Sequence, residues 1–317
     1  MRILALLSLL LTLTASAVDT KQLIDSTAFV IEEGFVDPGR GREIARALRA
    51  KNLDSKLEGK ALAELLTKEI QAIEDDGHLN VRFDETTAAT PLGSREELRE
   101  RLSRRGGGRR PDRPAGPQVT SRMLDGKIGV LELLTFQPSP EARDEIASAM
   151  KAIEGAEAVI IDLRENRGGA QHLVDFLASY FFPADDRVLL TSRFRGMDRP
   201  MVSRVVETPT RKFENVPLTI LISEKTFSAG EAFAYIIQQF GRAKVVGTKT
   251  RGGGRPNTFV DLGAGYTASV SIGAAEHPKT GKGWQTTGVI PDVAVKAEDA
   301  LETAKGIGLR RQASGKQ

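Results

Sequence analysis

Cysteine is absent from all 317 residues. That excludes disulfide cross-links, a thiolate nucleophile, a Cys-ligated zinc site and a Cys-x-x-Cys redox centre. Covalent chemistry must then come from Ser, Thr, Lys or a carboxylate. Aromatic residues are scarce at 5%, and the formal net charge is only +3. So slight a basic excess, with few rings to stack on bases, leaves no nucleic-acid footprint. Beyond the N-terminus no apolar run approaches the length a membrane helix needs. There is no internal repeat, and the glycine-rich "RGGGRP" at 251–256 lacks the Lys-Ser/Thr of a phosphate loop. Histidines number three, His78, His172 and His277, which narrows the search for a general base.

What remains is globular: 40% hydrophobic and 27% charged residues. The chain is long enough for one large domain or two smaller ones, with a core that needs no disulfides. The opening "MRILALLSLLLTLTASAVDT" places Arg2 before an apolar run and small residues at Ala15, Ser16 and Ala17. This pattern predicts a signal peptide over 1–17, export to the periplasm or beyond, and no stable membrane anchor after cleavage.

Residues 18–83 read as an N-terminal helical domain, whose clearest helix is "GKALAELLTKEIQAIEDDGH" with Gly77 as its expected C-cap. Residues 84–122 form a charged Arg/Gly/Pro-rich linker containing one short helix. Arginines interleaved with glutamates argue a solvated face; the alternative is an envelope interaction segment at 95–113. Over 123–306 strand and helix patterns alternate, from "KIGVLELLTF" through "AEAVIIDLR" and "PLTILISE" to "YTASVSIGAAE", which predicts an α/β layered core. Residues 307–317 read as a flexible tail.

Two stretches carry chemistry. In "EKTFSAGEAFAY", Ser228 follows a buried strand and opens a helix, with Glu231 three positions on. Ser-x-x-Glu is a capping box, and a strand–turn–helix also aims a hydroxyl at the rim of a sheet beside free helix N–H groups. Ser228 is therefore either a cap or a nucleophile. In "IIDLRENRGGAQHL", Gly168 and Gly169 make a tight turn whose N–H groups could face a developing oxyanion.

Together, "AVIIDLRENRGG", "TFSAGEAFAYIIQQFGRAKVVGTKTRGGG" and "GVIPDV" resemble, in order and spacing, the core of the tail-specific (C-terminal processing) serine peptidase family, over roughly Lys127 to Val295. The resemblance implies a ClpP/crotonase-like sheet-and-helix core, Ser228 as nucleophile, and oxyanion donors at Gly168 or Gly169 and the Ser228–Ala229 turn. It implies no metal or organic cofactor, and a peptide or protein substrate. Oligomers stay open.

Two departures choose the branch. The base lysine of the Ser-Lys branch falls on Gly253, with Lys249 close by, and 84–120 is too short and polar for a PDZ insert. The chain is more similar to the PDZ-less branch of tricorn protease and the interphotoreceptor retinoid-binding protein repeats. There an N-terminal histidine serves as base, which implies His78 over His172 and His277. Neutral imidazole suits that role. The acidic residue expected to orient it corresponds to Gln285, so Glu231 or Asp292 is left to supply charge. The implied activity is that of an exported serine endopeptidase. The alternative is a weak or inactive member binding an apolar ligand or peptide.

Overall fold

Capping residues set the first helices. Asp19 accepts the Lys21 and Gln22 N–H groups at the start of α1 (Thr20–Gly34), and Asp37 with Pro38 at the first position opens α2 (Pro38–Arg49). In α3 (Gly59–Ile73), Leu62, Leu66 and Ile70 recur at helical spacing and are buried. This computed structural model describes residues 18–314 except 52, 54, 55, 105–115, 117 and 211. The expected signal peptide over 1–17 lies outside the described residues, as do the Arg/Gly-rich 105–115.

The chain continues through β1 (Asn80–Phe83) and α4 (Arg95–Ser103) to the segment that builds the main sheet. That segment contributes β2 (Val119–Leu124), β3 (Ile128–Leu133), α5 (Ala142–Ala152), β4 (Ala158–Asp162) and α6 (Gln171–Ala178). A hairpin of β5 (Val188–Phe194) and β6 (Met201–Arg204) precedes β7 (Leu218–Ile222), α7 (Ala229–Gln239) and β8 (Lys244–Gly247). Then come β9 (Asn257–Gly263), β10 (Tyr266–Ser271), β11 (Gly273–Glu276), β12 (Val293–Ala294) and α8 (Ala300–Ser314).

Six strands form one sheet in the order β12-β8-β7-β4-β3-β2, in which only β2 runs antiparallel to its neighbour. Every residue of β4 and β7 is buried, because helices cover both faces and leave no solvated side to alternate toward. Along β4, Val159 and Ile161 pack toward α5, α6 and α7, while Ala158 and Ile160 pack toward α8. Helix α8 continues past residue 306 into what reads as a tail, since Ala300 and Ala304 are buried against Ile160 and Leu221 and tie its start to the sheet.

A second core lies under the N-terminal helices. Leu23, Phe29, Leu48 and Leu66 share it with Leu98 of α4 and with Val260, Tyr266 and Val270 of β9 and β10. Strand β1 pairs with β10, which pairs with β9, so a late stretch of chain closes the helical unit. The expected single strand "YTASVSIGAAE" divides at Ile272, where the Ile272 and Gly273 N–H groups both turn to Pro256 O. Its second half, β11, joins β5 instead. Arginines of α4 are engaged within the fold: Arg95 and Arg99 pair with Asp25 and Glu33 and lie over the Phe29 ring. Among the described residues no helix is long and apolar enough to cross a membrane.

Candidate active site

The turns after β4 and β7 are stitched together. Ser223 Oγ donates to Arg164 O at 2.6 Å, Thr226 Oγ1 to Leu163 O at 2.7 Å, and the Phe227 N–H to Asn166 O at 3.0 Å. This holds Ser228 at the head of α7 with φ +54° and ψ −116°, a left-handed conformation that costs a non-glycine residue energy and persists only where its surroundings enforce it. Glu231 accepts the Ser228 N–H at 2.8 Å. The hydroxyl meets His78 Nε2 at 3.0 Å. Ser228 thus sits in a capping box and also beside an imidazole.

His78 stands on the turn between α3 and β1, only 3% exposed, its ring 4.6 Å from that of Phe227. Asp76, 1% exposed, lies beneath it: Oδ1 accepts the His78 N–H at 2.9 Å and is 3.7 Å from His78 Nδ1. Oδ2 accepts from Ser271 Oγ at 2.8 Å and Arg255 at 3.1 Å. Asp76 is not among the residues the sequence singles out, because in "DDGH" it reads as part of a helix end. A carboxylate two residues before a candidate base was the available signal. Gly77 is not a C-cap: α3 ends at Ile73 and Glu74 caps it. A side chain at Gly77 would press on the Phe227 ring at 3.1 Å, which explains the glycine.

The Gly168–Gly169 turn packs on the Ser228 turn, where a Cβ on Gly168 would stand 2.7 Å from Ser228 Cβ. The Gly168 N–H donates to Asn166 Oδ1 at 2.9 Å, so it is spent and cannot serve as the expected oxyanion donor. Gly169 N–H and Ala229 N–H make no hydrogen bond among the described residues, and they are the pair left for an oxyanion.

The other sequence candidates stand elsewhere. Gln285 does not take the orienting role assigned to it; its Oε1 accepts the Gly254 N–H at 2.8 Å. Asp292 accepts the Val245 N–H at 2.8 Å and serves the sheet edge. Glu231, fully buried, accepts from Ser228 N, Gly252 N, Gly253 N and Thr250 Oγ1. Burial pushes its carboxyl above the usual glutamate range, against those four donors. His277 is core, packed 4.6 Å from the Phe240 ring, and Lys249 is exposed. His172 is exposed on the wall of the site, yet the covered part of its ring, then the Arg143 charge, lowers its pKa.

Ser228 opens into a cavity of about 540 Å³ lined by α6, β6, the start of α7 and the 253–258 loop. Phe194, Ile272, Ala275 and Trp284 give it apolar walls, and Asp175 and Arg255 contribute charge. A hydroxyl beside an imidazole with a carboxylate behind it, and two N–H groups without a partner among the described residues, at the rim of a mostly parallel sheet, have the layout of a serine-hydrolase site.

Residues 127–295 match the model of peptidase family S41, and the chain belongs to that family. A carboxyl-terminal-processing protease of Synechocystis sp. is 28% identical over 185 residues, which is 58% of this chain and 41% of that protein. The chain thus spans less than half the length of that curated relative. A crystal structure from Parabacteroides merdae superposes with a TM-score of 0.62 at 17% identity, covering 92% of this chain and 97% of the other. The tricorn protease superposes with a TM-score of 0.57 at 15% identity, over 90% of this chain and 35% of its own.

Proposed function

We propose that the chain is an exported serine endopeptidase in which Asp76, His78 and Ser228 act as a triad. The observation that carries this is the 3.0 Å contact between His78 Nε2 and Ser228 Oγ, with the Asp76 carboxylate on the other side of the ring. For Nε2 to accept the serine proton, the imidazole's own proton must sit on Nδ1, the nitrogen that faces Asp76. Ser228 Oγ attacks the scissile carbonyl as His78 takes its proton, and Gly169 and Ala229 N–H receive the oxyanion. His78 then returns the proton to the leaving amine, and water hydrolyses the acyl-enzyme by the same route. Asp76 stabilises the imidazolium that forms in each half. The signal-like 1–17 stretch supports export, with 18–317 as the mature chain.

Fluorophosphonate labelling of residues 18–317 tests this reading. Wild type should label, Ser228→Ala should not, and His78→Ala should label at least about 100-fold more slowly. Labelling that survives Ser228→Ala removes the nucleophile. A folded wild type that does not label favours a ligand-binding role for the cavity instead.

A further inference from the structure

We propose that Asp175 selects substrates with a cationic side chain, Lys or Arg, at the residue whose carbonyl Ser228 attacks. The inference rests on the reading of Ser228 as nucleophile and deepens it. Helix α6 begins immediately after the Gly169–Ala170 turn, so the first two turns of α6 carry Gln171 and Asp175 on one face, toward the cavity that Ser228 enters. Gln171 Nε2 donates to Asp175 Oδ1 at 2.8 Å, and Ser203 Oγ from β6 donates to the same oxygen. Both donors are neutral. Among the described residues Asp175 makes no ion pair, although its carboxyl is half-buried in the cavity wall.

The charges around it are committed or turned away. On its own helix, His172 is exposed, and on α5 Arg143 stacks over the Phe176 ring at 4.4 Å. Arg255 on the cavity wall is held by Glu74 and Asp76, Arg204 of β6 is bonded to Asp186 O, and Glu231 of α7 is spent on the 250–253 loop. A carboxylate lining a substrate cavity with only a hydroxyl and an amide to offset its desolvation lacks a counter-ion, and a bound guanidinium or ammonium would provide one. Apolar walls at Ile272 and Trp284 suit the methylene stem of such a side chain, and Ala229 and Ala232 leave room on the α7 side. In the empty enzyme burial raises the Asp175 carboxyl above its ordinary range. A bound cation favours the ionised form, so protons compete with cationic substrates and the preference should strengthen as pH rises.

The test uses the mature chain, first labelled by fluorophosphonate to establish a reactive Ser228. N-acetylated fluorogenic peptides differing only at the attacked residue then compare Lys and Arg with norleucine. Expected is a kcat/KM ratio of about tenfold or more in favour of the cation, falling as pH is lowered. Titration of His78 is common to both substrates and cancels in the ratio. In Asp175→Asn the ratio should collapse toward parity and lose its pH dependence. If that variant does not fold, the pH dependence of the wild-type ratio decides alone. A labelled enzyme that cleaves the norleucine peptide equally well, or a ratio indifferent to pH, overturns the proposal while leaving Ser228 in place. A preference seen only with unacetylated peptides assigns the cation to a terminal amine and also overturns it. A wild type that does not label takes down the nucleophile reading, and this one with it.

Discussion

A Cβ placed on Gly253 would stand 2.3 Å from Phe227 Cε2 and 3.0 Å from His78 Cε1. A side chain at position 253 would press first on the Phe227 ring that packs against the imidazole, so a lysine at that point would require Phe227 to move. The glycine that reads as a missing catalytic residue is what admits the Phe227 ring beside the histidine. Behind the ring, Asp76 is fixed by three donors: the His78 N–H, Ser271 Oγ and Arg255. Its 3.7 Å separation from Nδ1 is longer than a hydrogen bond, so the carboxylate acts on the ring through its charge. Asp76→Asn keeps the shape but removes the charge that stabilises an imidazolium. It should lower kcat on a peptide substrate by about 100-fold or more with little change in KM, which steady-state kinetics would show. A KM effect alone would make Asp76 only a strut. In the sequence, Gln285 drew attention because it lies where an acidic residue is expected along the chain, yet Asp76 reaches His78 through a two-residue turn that linear position does not reveal.

Helix α7 shows how one element can hold a site. Its third residue, Glu231, gathers the Ser228, Gly252 and Gly253 N–H groups and the Thr250 hydroxyl onto two carboxylate oxygens. The helix start, the strained serine and the glycine loop under His78 are thereby one unit. Glu231→Gln replaces one acceptor oxygen with an NH₂ group that faces N–H donors, leaving about two buried donors unpaired at roughly 1–3 kcal/mol each. Thermal unfolding should report a loss of about 2–6 kcal/mol, and fluorophosphonate labelling should slow along with it. A variant as stable as wild type would mean that water or loop movement rescues those donors. At this scale β3, β4 and β7 were legible, since strands covered on both faces read as unbroken apolar runs. Strands β2 and β6 were not, because "VTSRML" and "MVSR" are half-exposed or exposed and carry too few apolar residues to mark a strand.

Across the whole molecule the site falls between two hydrophobic cores. Ser228 grows from the sheet core, whereas Asp76 and His78 follow α3 of the helical core. An ion network lies beside the triad: Arg40 to Glu74 at 2.8 Å, Glu74 to Arg255 at 2.7 Å, and Arg255 to Asp76 at 3.1 Å. Arg255 also lies 5.0 Å over the Phe35 ring. The sequence showed both units but not the junction, since Arg255 and Asp76 are 179 positions apart and charged residues leave no periodic trace. Removing one partner of a buried pair leaves the other charged and uncompensated, which typically costs 3–5 kcal/mol. Arg255→Met keeps an apolar side chain of similar length but strips the guanidinium from beside Asp76 and from over the Phe35 ring. It should lower stability by roughly 3 kcal/mol in denaturant unfolding. It should also slow labelling of Ser228 in the molecules that stay folded, because Asp76 then keeps only two of its three donors and its carboxylate is held less firmly beside His78. Labelling at the wild-type rate in folded Arg255→Met would show that the remaining contacts of Asp76 hold the triad without this network.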